Sequence, residues 1–347
     1  MTNINHIPFA TRLQPAVLGG GFAMEDYWVW CGSAIQGEDG RYHLFVARWP
    51  KVYKFLPGYQ SYSEIVRAVA DTPAGPYTFA EIVLGDRGTA YWDGRMTHNP
   101  TVIRWKGRYL LFYIGTTFDG PKPTAEELLA GPDMYPWYRS ISIGVAESES
   151  ILGPWRRPER PLLTARPGHW DALVVTNPSP CVTADGRLLL YYRTYIPDVG
   201  CKLGLAIYHD LSSDPVWRSD APMIDGDYMT LEDPCVFRID DHYEMIAKDL
   251  NGQTTGELNA GAHLLSLDGI NWELAPVRKA YSRDVLWSDG QLRNMGSFER
   301  PQLLLQDDGH PTHLFAAMAD GPGQWQQMNK TWNAVIPLGK GESNANM

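Results

Sequence analysis

One unit recurs five times along this chain, and the recurrence limits the possible folds more tightly than any bulk property. The unit is a polar pair, a proline, an apolar run, a turn carrying Gly or Asp, and a second apolar run. It is read in "THNPTVIRWKGRYLLFYIG" (97–115), "TNPSPCVTADGRLLLYYRT" (176–194), "MTLEDPCVFRIDDHYEMIAKD" (229–249) and "FERPQLLLQDDGHPTHLFAA" (298–317). In "CGSAIQGEDGRYHLFVARW" (31–49) the proline is missing. Each copy predicts a hairpin, with turns such as Glu38-Asp39-Gly40 or Asp185-Gly186 between two short strands. A second motif follows most copies, as in "RAVADTPAGPYTF" (67–79), "IGVAESESILGPWRR" (143–157), "LGLAIYHDLSSDPVWR" (203–218) and "AHLLSLDGINWEL" (262–274). It predicts an alternating strand, a turn, and a further strand opened by an aromatic residue.

Four strands recurring five times, with hardly any helix, describe an all-β chain folded as a five-bladed β-propeller. A β-sandwich does not repeat a four-strand unit in this way. The propeller is expected to form a single domain over residues 1–347, with a flexible tail at 340–347. The fifth copy ends at "WNAVIPL" (332–338) with no fourth strand. The stretch "HIPFATRL" (6–13) is expected to supply that strand and close the ring, which leaves no long exposed edge.

Hydrophobic residues make up 44% of the chain, enough for a sizeable core. The net charge of -10 argues against nucleic acid or an anionic membrane surface as partner. The four cysteines show no CxxC spacing, so reduced thiols are expected rather than a zinc site or a disulfide framework. The N-terminal stretch lacks the pattern of a secretion signal, and no run approaches eighteen consecutive apolar residues. A cytoplasmic protein with no membrane span is the expectation.

In a propeller the first strand of each blade lines the central channel. The polar pairs would then converge at one mouth, beside the loops that join second to third strands. Those loops are long, at 48–64, 116–140, 193–202, 248–261 and 318–330, and rich in aromatic, amide and charged residues. The loop at 116–140 predicts a short helix with Thr124 as N-cap, Glu127 completing a capping box and Gly131 ending it. A pocket walled in this way suits sugars, whose faces stack on rings and whose hydroxyls need donors and acceptors.

Aligning the copies places His98, Thr176, Glu232 and Glu299 in one register, with Cys31 in the first copy. The next register holds Gly32, Asn99, Asn177, Asp233 and Arg300. Strand neighbours point to opposite faces, so Glu232 is expected in the channel and Asp233 turned toward Arg300 or Lys248. Six residues before the second register stand Asp26, Asp93, Asp171 and Asp227, which either join the mouth or cap a turn at each blade entrance. Arg48, Arg193 and Lys248 lie where second strands return to the mouth. They could hold a carboxylate ionised, bind an acidic sugar, or make salt bridges between blades. His98 is expected to bind substrate, to help hold a central structural ion, or to be packed and hydrogen-bonded. No other cofactor and no catalytic metal are expected. Trp28 and Trp30 alternate onto one face, as stacking platforms or core residues would.

The "EDP" at 232–234 and the "AESESILGPW" at 146–155, set in five blades, resemble the glycoside hydrolases of family 43 and their relatives in families 32 and 117. The resemblance implies a glycosidase, with Glu232 as general acid and Asp26 as base. The pattern departs where the family would show Asp-Pro: this chain has Asn99-Pro100, Asn177-Pro178 and Gly32-Ser33. Glu299 adds a second Glu-x-Pro, which leaves open Glu299 as acid with Glu232 as nucleophile or base. Hydrolysis of a glycosidic bond needs two carboxyl groups, one protonated and one ionised. Asp26, Asp93, Asp171, Glu232 and Glu299 are the candidates. Trp28, Trp30, Arg48, His98, Asn99, Asn177, Arg193, Lys248 and Arg300 are candidate substrate contacts. The expected substrate is a short oligosaccharide attacked from its end. The alternatives are a glycan-binding propeller without catalysis and a glycoside phosphorylase, which would need a basic phosphate cradle.

Overall fold

The structure, a computed structural model, describes residues 4, 6–224, 230–321 and 327–341. Asp227, residues 322–326 of the last long loop, and the tail from 342 lie outside the described residues.

Five antiparallel sheets follow one another along the chain. Blade one is β1 (Tyr27–Gln36), β2 (Tyr42–Pro50), β3 (Glu64–Ala70) and β4 (Thr78–Leu84), with helix α1 (Phe55–Tyr62) between β2 and β3. Blade two is β5 (Met96–Trp105), β6 (Arg108–Thr116) and β7 (Ser142–Ser148), with helix α2 (Ala125–Ala130) before β7. Bridges from Ile143 to Leu163 and from Glu147 to Arg156 stand in for its fourth strand. Blade three is β8 (Thr176–Val182), β9 (Leu188–Ile196), β10 (Gly200–Tyr208) and the short β11 (Trp217–Arg218). Blade four is β12 (Leu231–Ile239), β13 (His242–Asp249), β14 (Gly261–Ser266) and β15 (Glu273–Tyr281). A small hairpin, β16 (Asp284–Leu286) and β17 (Leu292–Asn294), leads into blade five, β18 (Ser297–Leu305), β19 (Pro311–Ala319) and β20 (Thr331–Pro337). The expected five-bladed propeller is what the chain forms.

The hairpin turns behave as their residues require. Lys106 and Gly107 both take positive φ, 49° and 77°, which suits the right-handed twist of the flanking strands β5 and β6. The predicted helix in the second long loop is α2, and Thr124 and Glu127 exchange the bonds of a capping box. All four cysteines are free and buried. Among the described residues no helix is long and apolar enough to cross a membrane.

Hydrophobic burial runs between blades. Successive side chains of each second strand point to opposite sheet faces, so each strand feeds two cores. Leu111 packs with Phe45 and Ile65 of blade one, while its neighbour Phe112 packs with Leu190 and Tyr208 of blade three. Leu189 and Leu205 meet Val236 and Met245, Phe237 and Ile246 meet Leu314 and Met318, and Phe315 and Val335 meet Val46 and Val66. Five inter-blade cores thus close the ring and set the first strands β1, β5, β8, β12 and β18 side by side around the axis.

The closure differs in register from the sequence expectation. Residues 9–12 of "HIPFATRL" form a 3-10 turn, and the following residues run along β20 instead. Gln14 N–H donates to Pro337 O at 2.9 Å, Val17 N–H to Val335 O at 3.1 Å, and Phe22 N–H to Asn333 O at 2.9 Å. Pro15 has no N–H to give, which keeps this edge from becoming a regular ladder.

A buried polar network anchors the same segment to blade four. Arg12 Nη2 donates to Glu244 Oε1 at 2.7 Å, and His263 Nε2 lies 3.0 Å from Glu244 Oε2. Burial pushes the Glu244 carboxyl up, but bonds from His242 and His263 and the charge of Arg12 outweigh it and hold the group well below the usual range. Such a group adds stability that is complete above the unfolded carboxyl value, about 4.3, and is lost as pH falls below it. Arg12→Ala is expected to cost about 3–5 kcal/mol at pH 7, because it strands a buried charge. Glu244→Gln is expected to flatten the acid limb of the stability curve. Guanidinium unfolding of each variant between pH 3 and pH 7, as rough limits set by that carboxyl value, checks both outcomes.

Candidate active site

The site begins with a backbone defect repeated in all five first strands. Pairing with the second strand slips between Trp30 and Gly32, His98 and Thr101, Thr176 and Ser179, Glu232 and Cys235, and Glu299 and Gln302. At each slip one residue takes a left-handed conformation: Cys31 (φ 52°), Asn99 (52°), Asn177 (52°), Asp233 (55°) and Arg300 (53°). This is a β-bulge, which adds an unpaired residue and re-aims its side chain. It corrects the sequence alignment of the first blade by one residue. Cys31 belongs with Asn99, Asn177, Asp233 and Arg300, and Trp30 belongs with His98, Thr176, Glu232 and Glu299. Gly32 stands where the other blades have Pro100, Pro178, Pro234 and Pro301.

The bulge also suspends strand alternation, so Glu232 and Asp233 both join the axial cluster. Asp233 Oδ1 accepts from Asn177 Nδ2, and Oδ2 accepts from the backbone N–H of Arg300 at 3.1 Å. Asn177 Oδ1 accepts from Asn99 Nδ2 at 3.0 Å, and Asn99 Oδ1 accepts from the Cys31 thiol at 2.8 Å. The bulge residues therefore bond blade to blade around the axis. Arg300 is buried, with Nη2 on Pro178 O at 3.0 Å and Nη1 3.9 Å from Asp233 Oδ1.

Glu232 and Glu299 meet at one cation. Lys248 Nζ, on β13, lies 2.8 Å from Glu299 Oε1 and 3.7 Å from Glu232 Oε2. Arg193, on β9, donates to Glu232 Oε1 through Nε at 3.0 Å and Nη2 at 2.6 Å. Burial pushes the Glu232 carboxyl up, but Arg193 and Lys248 outweigh it and bring it below its ordinary value. Burial first, and then the charge of Glu232, push Asp233 up to about 6. One member of the cluster is thus held ionised while its chain neighbour takes a proton near neutrality, the separation that acid–base chemistry needs.

The rim comes from blades one and two. Lys54 and Gln60 of the β2–β3 connection bond to Asp133, and Gln60 O accepts from Trp137 Nε1 at 3.1 Å. Tyr138 reaches across to accept from Arg193 Nη1 at 2.8 Å. The Tyr59 ring lies over His98 with centroids 4.9 Å apart. Sequence reasoning did not single out Tyr59, Tyr138 or Ser63, whose loops carry no periodic signal.

His98 is buried, with Nδ1 2.8 Å from Ser63 Oγ and Nε2 3.8 Å from Cys31 Sγ. Among the described residues no group of three or more His, Cys, Asp or Glu side chains is placed to hold a metal ion. Trp30 is buried against Phe55 (5.0 Å), and Trp28 is half-buried with Nε1 on Tyr53 O at 2.9 Å. Both pack in one aromatic cluster below the rim.

Four candidates are not brought into the cluster. Arg48 pairs with Glu64 at 2.9 Å and stacks between Tyr27 and Phe79. It sits opposite Val29, one residue out of the register that aims Arg193 and Lys248 inward, so alternation sends it to the other face. Asp93 is fully buried between Arg87 and Arg157, and Tyr113 donates to it at 2.6 Å. Asp171 is held the same way by Arg166, Arg218 and Tyr192. These two acids are structural braces at the blade entrances. Asp26 is exposed where the chain enters β1, and its backbone carbonyl accepts from Lys51.

No protein-family model matches the chain, and no curated protein matches it by sequence. Solved structures do match it over nearly their whole lengths. The chain is similar to Zg3597, a family 117 glycoside hydrolase of the marine bacterium Zobellia galactanivorans, at 16% identity and a TM-score of 0.65, covering 94% of this chain and 88% of that one. It is similar to BT0996, solved as a complex with RGII, at 13% identity and a TM-score of 0.66, covering 98% and 96%. It is also similar to a thermostable family-43 glycoside hydrolase, at 14% identity and a TM-score of 0.58, covering 92% and 95%. The shared feature is the five-bladed propeller itself.

Removing the shared cation tests the cluster. Lys248→Met leaves Glu232 and Glu299 facing each other in a buried site and is expected to cost about 3–5 kcal/mol at pH 7. Protonation relieves the repulsion, so the loss is expected to shrink as pH is lowered to about 4. Denaturant unfolding of wild type and variant at the two pH values checks the difference.

Proposed function

We propose that the channel mouth is the active site of a glycosidase, with Glu232 and Glu299 as its catalytic carboxyl pair. One observation carries this reading. Two glutamates in the same register of adjacent first strands meet at a single ammonium, in a fold shared with glycoside hydrolases. Glycosidic bond cleavage uses such a pair, one carboxyl to protonate the departing oxygen and one carboxylate to attack or to activate water. Glu232 takes the second role, because Arg193 and Lys248 favour its ionised form. Glu299 is then the proton donor. This reverses the role that the family resemblance implies for Glu232, and it leaves out Asp26.

The substrate is a glycan, and the rim favours attack at a chain end. The loops of blades one and two are clamped to each other, and Tyr138 reaches over to blade three. That arrangement walls one side of the mouth and supports a pocket rather than an open groove. Water is a better acceptor than phosphate here. Arg193, Lys248 and Arg300 already face Glu232, Glu299 and Asp233, which weakens the case for a phosphate cradle.

The test is a kinetic comparison on aryl glycosides with good and poor leaving groups. Glu232→Gln is expected to lower kcat about 100- to 10,000-fold on every substrate. Glu299→Gln is expected to lose as much on poor leaving groups and little on activated ones, which depart without a proton. Wild-type rates in both variants, or sugar binding by the wild-type protein with no turnover of any glycoside, would overturn the reading.

A further inference from the structure

The contacts around the axis allow only one assignment of protons. An ionised Asp233 can only accept, so Asn177 turns its Nδ2 to it and its Oδ1 away. Asn177 Oδ1 then takes a proton from Asn99 Nδ2 at 3.0 Å, which leaves Asn99 Oδ1 facing Cys31. The Cys31 thiol must donate to that oxygen, at 2.8 Å. Its one proton is used, so His98 Nε2, 3.8 Å away, is the donor to Sγ. His98 Nδ1 is then bare and accepts from Ser63 Oγ, 2.8 Å away. Every bond in this series points the same way, from Ser63 at the end of α1 to Asp233 in blade four.

We infer that Ser63, His98, Cys31, Asn99 and Asn177 form a one-way hydrogen-bond chain through blades one to three that orients and polarises the carboxylate of Asp233. They are positioning residues, acting on Asp233 and through it on Glu232. The inference rests on the glycosidase reading only for the consequence to catalysis. The series has no member that ionises near neutrality. Burial, and then the charge of Arg300, lower His98 to about 3, and burial pushes the Cys31 thiol well up. It therefore stays a fixed series of dipoles rather than a path that carries charge. Bonds in such a series strengthen one another, by roughly 10–30% each.

Asp233 is the group whose charge this series favours. Against it stand burial, Glu232 on its own strand and Glu299 on β18; with it stand Arg300 on β18 and Lys248 on β13. Tyr281 of blade four, Cys31 and Cys201 also face it, each with its own pKa raised. Removing a distant member of the series is expected to weaken the last bond and raise the pH at which Asp233 loses its proton. Glu232 would then see a neutral neighbour over a wider range of pH.

The experiment is a carboxyl-carbon NMR titration of the full-length protein labelled in aspartate, with Asp233→Asn to assign the signal. Asn177→Ala is expected to raise the titration point by about one pH unit or more, since a bond to a charged group is lost. Cys31→Ala and His98→Ala, which touch neither oxygen of Asp233, are expected to raise it by a few tenths of a unit. Cys31→Ser is expected to restore the wild-type value, because its hydroxyl donates to Asn99 as the thiol does. If Asn177→Ala moves the signal while Cys31→Ala and His98→Ala leave it in place, only the nearest amide matters and the series is overturned. The same result in Cys31→Ser as in Cys31→Ala also overturns it. The NMR readout needs no turnover, so shifted titrations in a protein that cleaves no glycoside would uphold the series while refuting the glycosidase.

Discussion

A left-handed residue inside the first strand of every blade is the constraint on which this molecule depends. A strand without it would alternate its side chains and send Asp233, Asn177 and Asn99 into the inter-blade cores. The bulge turns them to the axis instead, where each bonds to the next blade. Such conformations cost of order 1–3 kcal/mol for a residue other than glycine. Asn and Asp bear that cost best, and the following proline disfavours the right-handed helical alternative. Arg300 and Cys31 are the unfavourable choices. Both are held by bonds that only the bulged geometry permits, Arg300 to Asp233 and Pro178 O and Cys31 to Asn99.

The axis is asymmetric, and the asymmetry concentrates the chemistry. Blades one to three contribute a thiol and two amides to the ring of bulge residues, while blades four and five contribute Asp233 and Arg300. The glutamates in the preceding register, Glu232 and Glu299, belong to the same two blades. Buried ion pairs are weak evidence of stability, because desolvation offsets much of their attraction. A propeller axis could be filled with apolar side chains at no loss. Three carboxylates set among Arg193, Lys248 and Arg300 are better understood as a working site than as a scaffold.

The sequence repeat was enough to read the fold, because four apolar strands recurring five times leave few closed arrangements. The register shared by Glu232 and Glu299 was legible for the same reason, as were the inward-facing Arg193 and Lys248 and the capped helix at Thr124. The bulge was not legible. In four blades a proline marks it, but blade one has Gly32 there, and without the proline its copy slid by one residue. That single slip put Cys31 beside His98 and made Arg48 look equivalent to Arg193. The turn of Asp233 toward the axis was hidden as well, since alternation is the rule for strands and only the slip in pairing breaks it.

The recurring acid at the blade entrance shows why position in a repeat does not decide a role. Asp93 and Asp171 each receive an arginine from upstream, Arg87 or Arg166, and one from downstream, Arg157 or Arg218. Each also receives a tyrosine hydroxyl from the second strand, Tyr113 or Tyr192. The third strand makes room with a glycine: a Cβ at Gly144 would lie 2.6 Å from the Trp92 ring, and one at Gly204 would lie 2.4 Å from Tyr192. Every valence of these two carboxylates is spent on holding the outer blade to its entrance loop. Glu232, by contrast, has its charge balanced by groups on one side and remains partly open to the mouth, at 14% side-chain exposure. A carboxylate caged by two arginines and a phenol cannot approach a substrate, whereas one steadied by a single guanidinium can. That difference in enclosure, rather than the spacing along the chain, separates the acids that build the propeller from those able to act in it.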